Sequence, residues 1–171
     1  HEHSESTDNQ GVTFWVLNHD MSRPEGWETP IDTGMPLHYG GSVGANIVHT
    51  MPSPSLGNVA DAAGIEIIAP AYDGNLYAFG ANGEQLWTYD FSSTSDGFVG
   101  AGEALIADLN GDGVPEVLFT TYVGGDRDAP SGTAHLVLLN NNGVELHRVP
   151  LDGRGSMSAP TIADVDGDDQ P

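Results

Sequence analysis

Cysteine and lysine are both missing from the 171 residues, and only four side chains carry fixed positive charge: Arg23, Arg127, Arg148 and Arg154. Without cysteine there is no disulfide framework, so packing, hydrogen bonds or bound ions must hold the fold. Against the arginines stand 25 carboxylates, giving a formal net charge of −21. Binding a phosphate backbone needs clustered cations, so no nucleic acid partner is expected. The same deficit argues against docking on anionic lipid. No run approaches the roughly 18 apolar residues of a membrane span, so no membrane insertion is expected. Long amphipathic periodicity is lacking too, and no G-x-S-x-G, P-loop or G-x-G-x-x-G stretch stands in its proper context. The chain opens on His1 rather than methionine. That start implies a removed signal peptide or a piece of something longer, and the expected location is secreted, extracellular or cell-surface, with the periplasm as an alternative.

What is present is 38% hydrophobic residues, enough for a core, together with 23 glycines and 11 prolines between short apolar runs. That texture reads as strands and tight turns. A repeat emerges on alignment. The segment from Ser53 to Phe91 lies over that from Glu103 to Leu151, and a third copy begins at Ala159. Asn58 falls over Asp108 and Glu66 over Glu116, both at an offset of 50, whereas Leu76 over Leu136 and Gly83 over Gly143 are offset by 60. The second copy thus holds 60 − 50 = 10 extra residues within "VGGDRDAPSGTA". Insertions of that kind belong in surface loops.

Each copy parses into four strands. The first is "SLGN", "LIAD" or "TIAD"; the second is "IEIIAPAY" or "PEVLFTTY"; the third is "GNLYAF" or "AHLVLL"; the fourth is "QLWTYDF" or "ELHRVPL". Asn82-Gly83 and Asn142-Gly143 predict type I′ hairpin turns, with positive φ at both central residues. Four strands repeated every ~50 residues predict an all-β fold of β-propeller blades, each of four antiparallel strands. The ring is incomplete, about three blades or parts of blades. The predicted boundaries are a flexible leader at 1–12, a partial blade or closing strand at 13–52, a blade at 53–102, a blade at 103–158 and the start of a further blade at 159–171.

The stretch "DLNGDGVPEVLF" carries the chemistry. Asp108, Asn110, Asp112 and Glu116 crowd together, and like charges that close repel unless a cation sits among them. Asp108, Asn110 and Asp112 would offer side-chain oxygens, Val114 its carbonyl, and Glu116 would close the site. Gly111 and Gly113 let the backbone curl. All-oxygen ligands suit Ca²⁺ better than Mg²⁺, which demands a tighter octahedron, and the absence of Cys and His disfavours zinc. An EF-hand needs a glutamate at loop position twelve and flanking helices; that position is Phe119, in a strand sequence. A second site is expected at Asp164, Asp166 and Asp168 with the Gln170 carbonyl, so one or two Ca²⁺ in all. The first copy has decayed to Asn58, Ala60, Ala62 and Gly64, leaving Glu66 nearly alone, and no calcium is expected there.

These loops resemble the calcium loops of FG-GAP/VCBS repeat proteins, whose blades carry D-x-[DN]-x-D-G-x-x-[DE] between the first two strands. "DGNLYAFGANGEQLW" is also similar to blades of quinoprotein-type (PQQ-like) propellers. The resemblance covers about residues 50–171. It implies calcium loops between first and second strands, and a structural, adhesion or assembly role with calcium stabilising the blades. Protein subunits or the rest of a longer chain would complete the propeller, and carbohydrate is a possible further partner. Enzymatic alternatives are a polysaccharide lyase or a quinoprotein-like dehydrogenase, although four arginines are few for a lyase groove and the length is short for a closed ring. A third reading is Cu²⁺ held by His1 and His3 through the amino terminus. Trp15, Trp27 and Trp87 are read as blade packing rather than a sugar platform.

Overall fold

The computed structural model describes residues 13–32, 52–60, 64–71, 74–94, 99–126, 129–130, 132–165 and 167. These residues contain no α-helix. A short ladder joins β1 (Thr13–Phe14) to β2 (Ile31–Asp32). The first sheet contains β3 (Ser55–Gly57), β4 (Glu66–Pro70), β5 (Asn75–Phe79) and β6 (Gln85–Asp90), antiparallel and in chain order. A single 3₁₀ turn follows at Ser92–Thr94, where Asp90 Oδ1 accepts from the N–H groups of Ser92 and Ser93.

The second sheet repeats the plan. It contains β7 (Val99–Ala101), β8 (Leu105–Ala107), β9 (Glu116–Val123), β12 (Ala134–Leu139) and β13 (Glu145–Leu151). Between β9 and β12 the ten-residue insertion makes its own small ladder, β10 (Gly125–Asp126) with β11 (Ala129–Pro130). The sequence does not foretell β7. It lies end to end with β8 along one edge of β9, pairing Val99–Ala101 with Val123–Thr121 while β8 pairs with Leu118–Glu116.

Two expectations are corrected. "TIAD", Thr161–Asp164, is not a strand. So short a strand exists only through a ladder, and this four-residue segment has no ladder partner among the described residues. The hairpin turns are not type I′ either. Gly83 donates to the Gly80 carbonyl and Gly80 to that of Glu84, and Gly143, Asn140 and Val144 repeat this. Only the glycines have positive φ, 81° and 75°, and the ladder slips by one residue at Ala78/Phe79 and at Leu138/Leu139. This is a type I turn closed by a left-handed glycine in a bulge.

The main core lies between the sheets. Ile68, Leu76, Ala78 and Phe91 of the first meet Val117, Phe119, Val137 and Leu139 of the second. Rings of Tyr89 and Phe91 flank Phe119 at 6.0 and 5.9 Å. The other face of the first sheet is covered by residues 13–32: Trp27 and Phe14 pack on Ile67, Phe79 and Tyr77. Sandwiched on both faces, β4 is buried throughout, which explains its apolar run from Ile67 to Pro70.

A latch joins successive layers. Trp27 Nε1 donates to the Ala81 carbonyl, and Trp87 Nε1 to that of Asn141 at 3.0 Å. Both pairs are 54 residues apart, and in both the acceptor is the second residue of the next hairpin turn. The ring of Trp87 rests on Gly143, where an added Cβ would come within 2.7 Å of the indole. Trp15 departs from its expected packing role and is 59% exposed, with the Arg23 guanidinium 4.2 Å from its ring centre.

Candidate metal loop and its degenerate twin

The acidic loop connects β8 to β9 and curls as its glycines require. Gly111 and Gly113 have φ of 76° and 86°, a left-handed region costly to any residue with a Cβ. Asp108 sits at the centre of the curl. Its Oδ1 accepts from Gly111 N–H at 2.8 Å and Asp112 N–H at 3.2 Å, and its Oδ2 from Gly113 N–H at 2.9 Å. Asn110 Oδ1 accepts from Asp112 N–H, and Asp112 Oδ1 from Val114 N–H, each at 2.8 Å. Each acid thereby folds the loop around itself.

Glu116 opens β9 and is buried at the base of the loop. Its Oε2 accepts from Leu109 N–H at 2.8 Å. The Asn110 amide donates to Glu116 Oε1 and to Asp112 Oδ2, both at 3.0 Å. These two carboxylates, one from the middle of the loop and one from the start of β9, therefore share one donor. The donor set is all oxygen apart from that amide nitrogen, as a hard cation needs. Asp108, Asp112 and Glu116 are not drawn together in a metal-like cluster, and no group of three such side chains is among the described residues.

The first copy shows what remains when the loop acids are lost. Glu66 occupies the place of Glu116 and is fully buried. Its Oε2 accepts from Val59 N–H at 2.7 Å and Ala60 N–H at 3.1 Å. Val59 matches Leu109 at the offset of 50, so the bond from strand-opening acid to loop backbone is preserved. Its other oxygen, Oε1, is buried without a hydrogen-bond partner. Sequence reasoning saw Glu66 as a leftover and missed its work on the loop. In the third copy Gly167 N–H donates to Asp164 Oδ1 at 2.6 Å with φ of 81°, as Gly111 does to Asp108. Asp166, Asp168 and Gln170 lie outside the described residues, as do His1 and His3.

A second polar cluster ties the sheets at the surface. Tyr89 on β6 donates to Glu145 Oε2 on β13, and Arg148 Nη2 donates to the Tyr89 hydroxyl at 2.6 Å and to Glu145 Oε2 at 2.7 Å. Burial, reinforced by Glu145, pushes the Tyr89 hydroxyl up to about 12. Hydrogen bonds from Arg148 and then Tyr89 hold the Glu145 carboxyl below its usual range. Burial, with Arg148 nearby, lowers His135. No spacing in the sequence pointed to this trio, because Tyr89 meets the Glu145–Arg148 pair only across the two sheets.

Compared with known protein families, residues 108–171 match the FG-GAP-like repeat. The matched span opens on the first acid of the curled loop and includes the loop beginning at Asp164. No curated protein gives a significant match.

Proposed function

We propose that this chain, bearing an FG-GAP-like repeat, is a calcium-stabilised β-propeller-type module acting outside the cell in adhesion or assembly rather than in catalysis. The antiparallel four-stranded plan repeated in two stacked sheets supports the propeller reading. The observation that carries the calcium reading is the Asp108–Glu116 curl. Its two left-handed glycines and its oxygen donors stand at the junction of β8 and β9, within the matched span. Asp108, Asn110, Asp112, the Val114 carbonyl and Glu116 would hold the ion. Asp164, Asp166, Asp168 and the Gln170 carbonyl would hold a second. The ion would supply charge neutralisation and a tether between strands. Asp108 and Glu116 orient the loop through its backbone N–H groups, so the curl is formed in advance.

Binding to the folded state alone stabilises by about 2.7 kcal/mol at a hundredfold excess of calcium over Kd. For a chain this long that raises Tm by roughly 5–10 °C. The test compares melting curves in calcium and in EDTA, for the wild type and for Asp112→Asn. The wild type should lose this increment in EDTA, and Asp112→Asn should lose most of its calcium response while keeping the loop hydrogen bond. A wild-type curve unmoved by chelation, with no heat on calcium titration, overturns the calcium reading.

A further inference from the structure

The sequence holds three Asn-Gly pairs: Asn82-Gly83, Asn110-Gly111 and Asn142-Gly143. In such a pair the glycine nitrogen is close in the chain to Cγ, the side-chain carbonyl carbon of the asparagine, and no Cβ hinders its approach. Attack of that nitrogen on Cγ closes a five-membered imide and expels ammonia. Two of the pairs lie in the hairpin turns. There the glycine N–H donates to a neutral backbone carbonyl, Gly83 to that of Gly80 at 2.8 Å and Gly143 to that of Asn140 at 3.0 Å. A neutral carbonyl is too weak a base to take the proton. Gly143 is also covered by the Trp87 ring.

Asn110-Gly111 has different neighbours at all three reacting groups. The nucleophile is Gly111 N, and its N–H donates to the Asp108 carboxylate at 2.8 Å. The oxygen on which charge develops is Asn110 Oδ1, which accepts from Asp112 N–H at 2.8 Å. The leaving group is Asn110 Nδ2, which donates to Asp112 Oδ2 and Glu116 Oε1, both at 3.0 Å. A base, an oxyanion donor and two leaving-group acceptors therefore converge on one amide. Asn110 and Gly111 are exposed, so water reaches them. An added Cβ at Gly111 meets nothing within 4 Å, so the ring has room to form.

We propose that Asn110 is a self-modification site, which the loop converts to an acid without a second protein. The Asp108 carboxylate takes the proton from Gly111 N, and that nitrogen bonds to Asn110 Cγ. The Cγ–Nδ2 bond breaks. The nitrogen leaves as ammonia, carrying the proton that Asp108 passes on. Water then adds to the imide. Cleavage of the new N–Cγ bond restores the backbone and leaves aspartate at 110. Cleavage of the original peptide C–N bond leaves isoaspartate instead. Water enters, ammonia departs, and nothing is oxidised or reduced. Aspartate at 110 reproduces the third copy, where Asp166 holds this position in the alignment that sets Asp164 over Asp108. The product also lacks the amide donor that Asp112 and Glu116 share. On the calcium reading above, the extra charged ligand tightens the site. The modification itself rests on the hydrogen bonds and not on the ion.

The test ages the chain in EDTA at neutral pH, below its melting transition, beside a sample unfolded in guanidinium chloride. Mass spectrometry follows amide-to-acid conversion at each Asn-Gly peptide, with released ammonia as a second readout. Unfolded, the three pairs should convert at similar rates. Folded, Asn110 should convert about tenfold or more faster than Asn82 and Asn142, and faster than it does unfolded, well within what a positioned base contributes. Asp108→Asn, its fold checked by circular dichroism, should lose that acceleration; a variant whose curl loosens falls to the unfolded rate and loses it too. Asn110 no faster folded than unfolded, equal rates at the three pairs in the folded chain, or Asp108→Asn as fast as the wild type each overturns the proposal. Calcium is absent throughout, so failure here leaves the calcium reading to its own melting test.

Discussion

Among the residues, glycine does two separate jobs in this chain. Gly143 and Gly153 both have left-handed φ, 75° and 67°. An added Cβ meets nothing within 4 Å at Gly153 but strikes the Trp87 ring at Gly143. Gly153→Ala should therefore cost about 1 kcal/mol, the backbone penalty alone. Gly143→Ala adds overpacking against the indole and should cost about 3 kcal/mol. Urea midpoints compare the two, and equal losses would refute the latch as a packed contact. Glu66 makes a second residue-level case. Glu66→Ala strips one buried and one half-buried N–H group of their acceptor and leaves a cavity, at about 3 kcal/mol. Glu66→Gln keeps an acceptor for both and should stay within about 1 kcal/mol of the wild type. A glutamine variant as unstable as the alanine one would show that the carboxylate itself is required.

Between elements, the strands were legible because burial on a sheet is local and periodic. The second, third and fourth strands of both copies form where the apolar runs place them. Turn type was less legible: Asn-Gly marks a hairpin, but the same pair serves a type I′ turn or, as here, the end of a type I turn with a bulge. The link between β6 and β13 could not be read at all, since Tyr89 lies 56 residues from Glu145 and 59 from Arg148. It has a consequence in pH. Tyr89 titrates near 10 when unfolded and at about 12 when folded, so its neutral form is favoured in the fold. Its contribution is intact below pH 10 and is lost as the pH climbs from 10 to 12. Stability of the wild type should fall over that window, and Tyr89→Phe should flatten the fall while lowering stability at pH 8. An identical alkaline slope in the phenylalanine variant would assign the loss elsewhere.

Across the whole molecule, three layers stack in sequence order: residues 13–32, the first sheet and the second sheet. The alignment fixed the repeat at 50 to 60 residues and placed the acidic curl, because these depend on turn chemistry and alternation among near neighbours. The Asp108 curl, with its two left-handed glycines, follows from the nine residues that make it. Tertiary structure alone decided the rest. It buried Glu66 while leaving Asp112 in solvent, and packed Trp27 and Trp87 into the layers while leaving Trp15 mostly exposed under Arg23. Those outcomes turn on which surface arrives from 54 or more residues away, and no window of neighbouring residues contains that information.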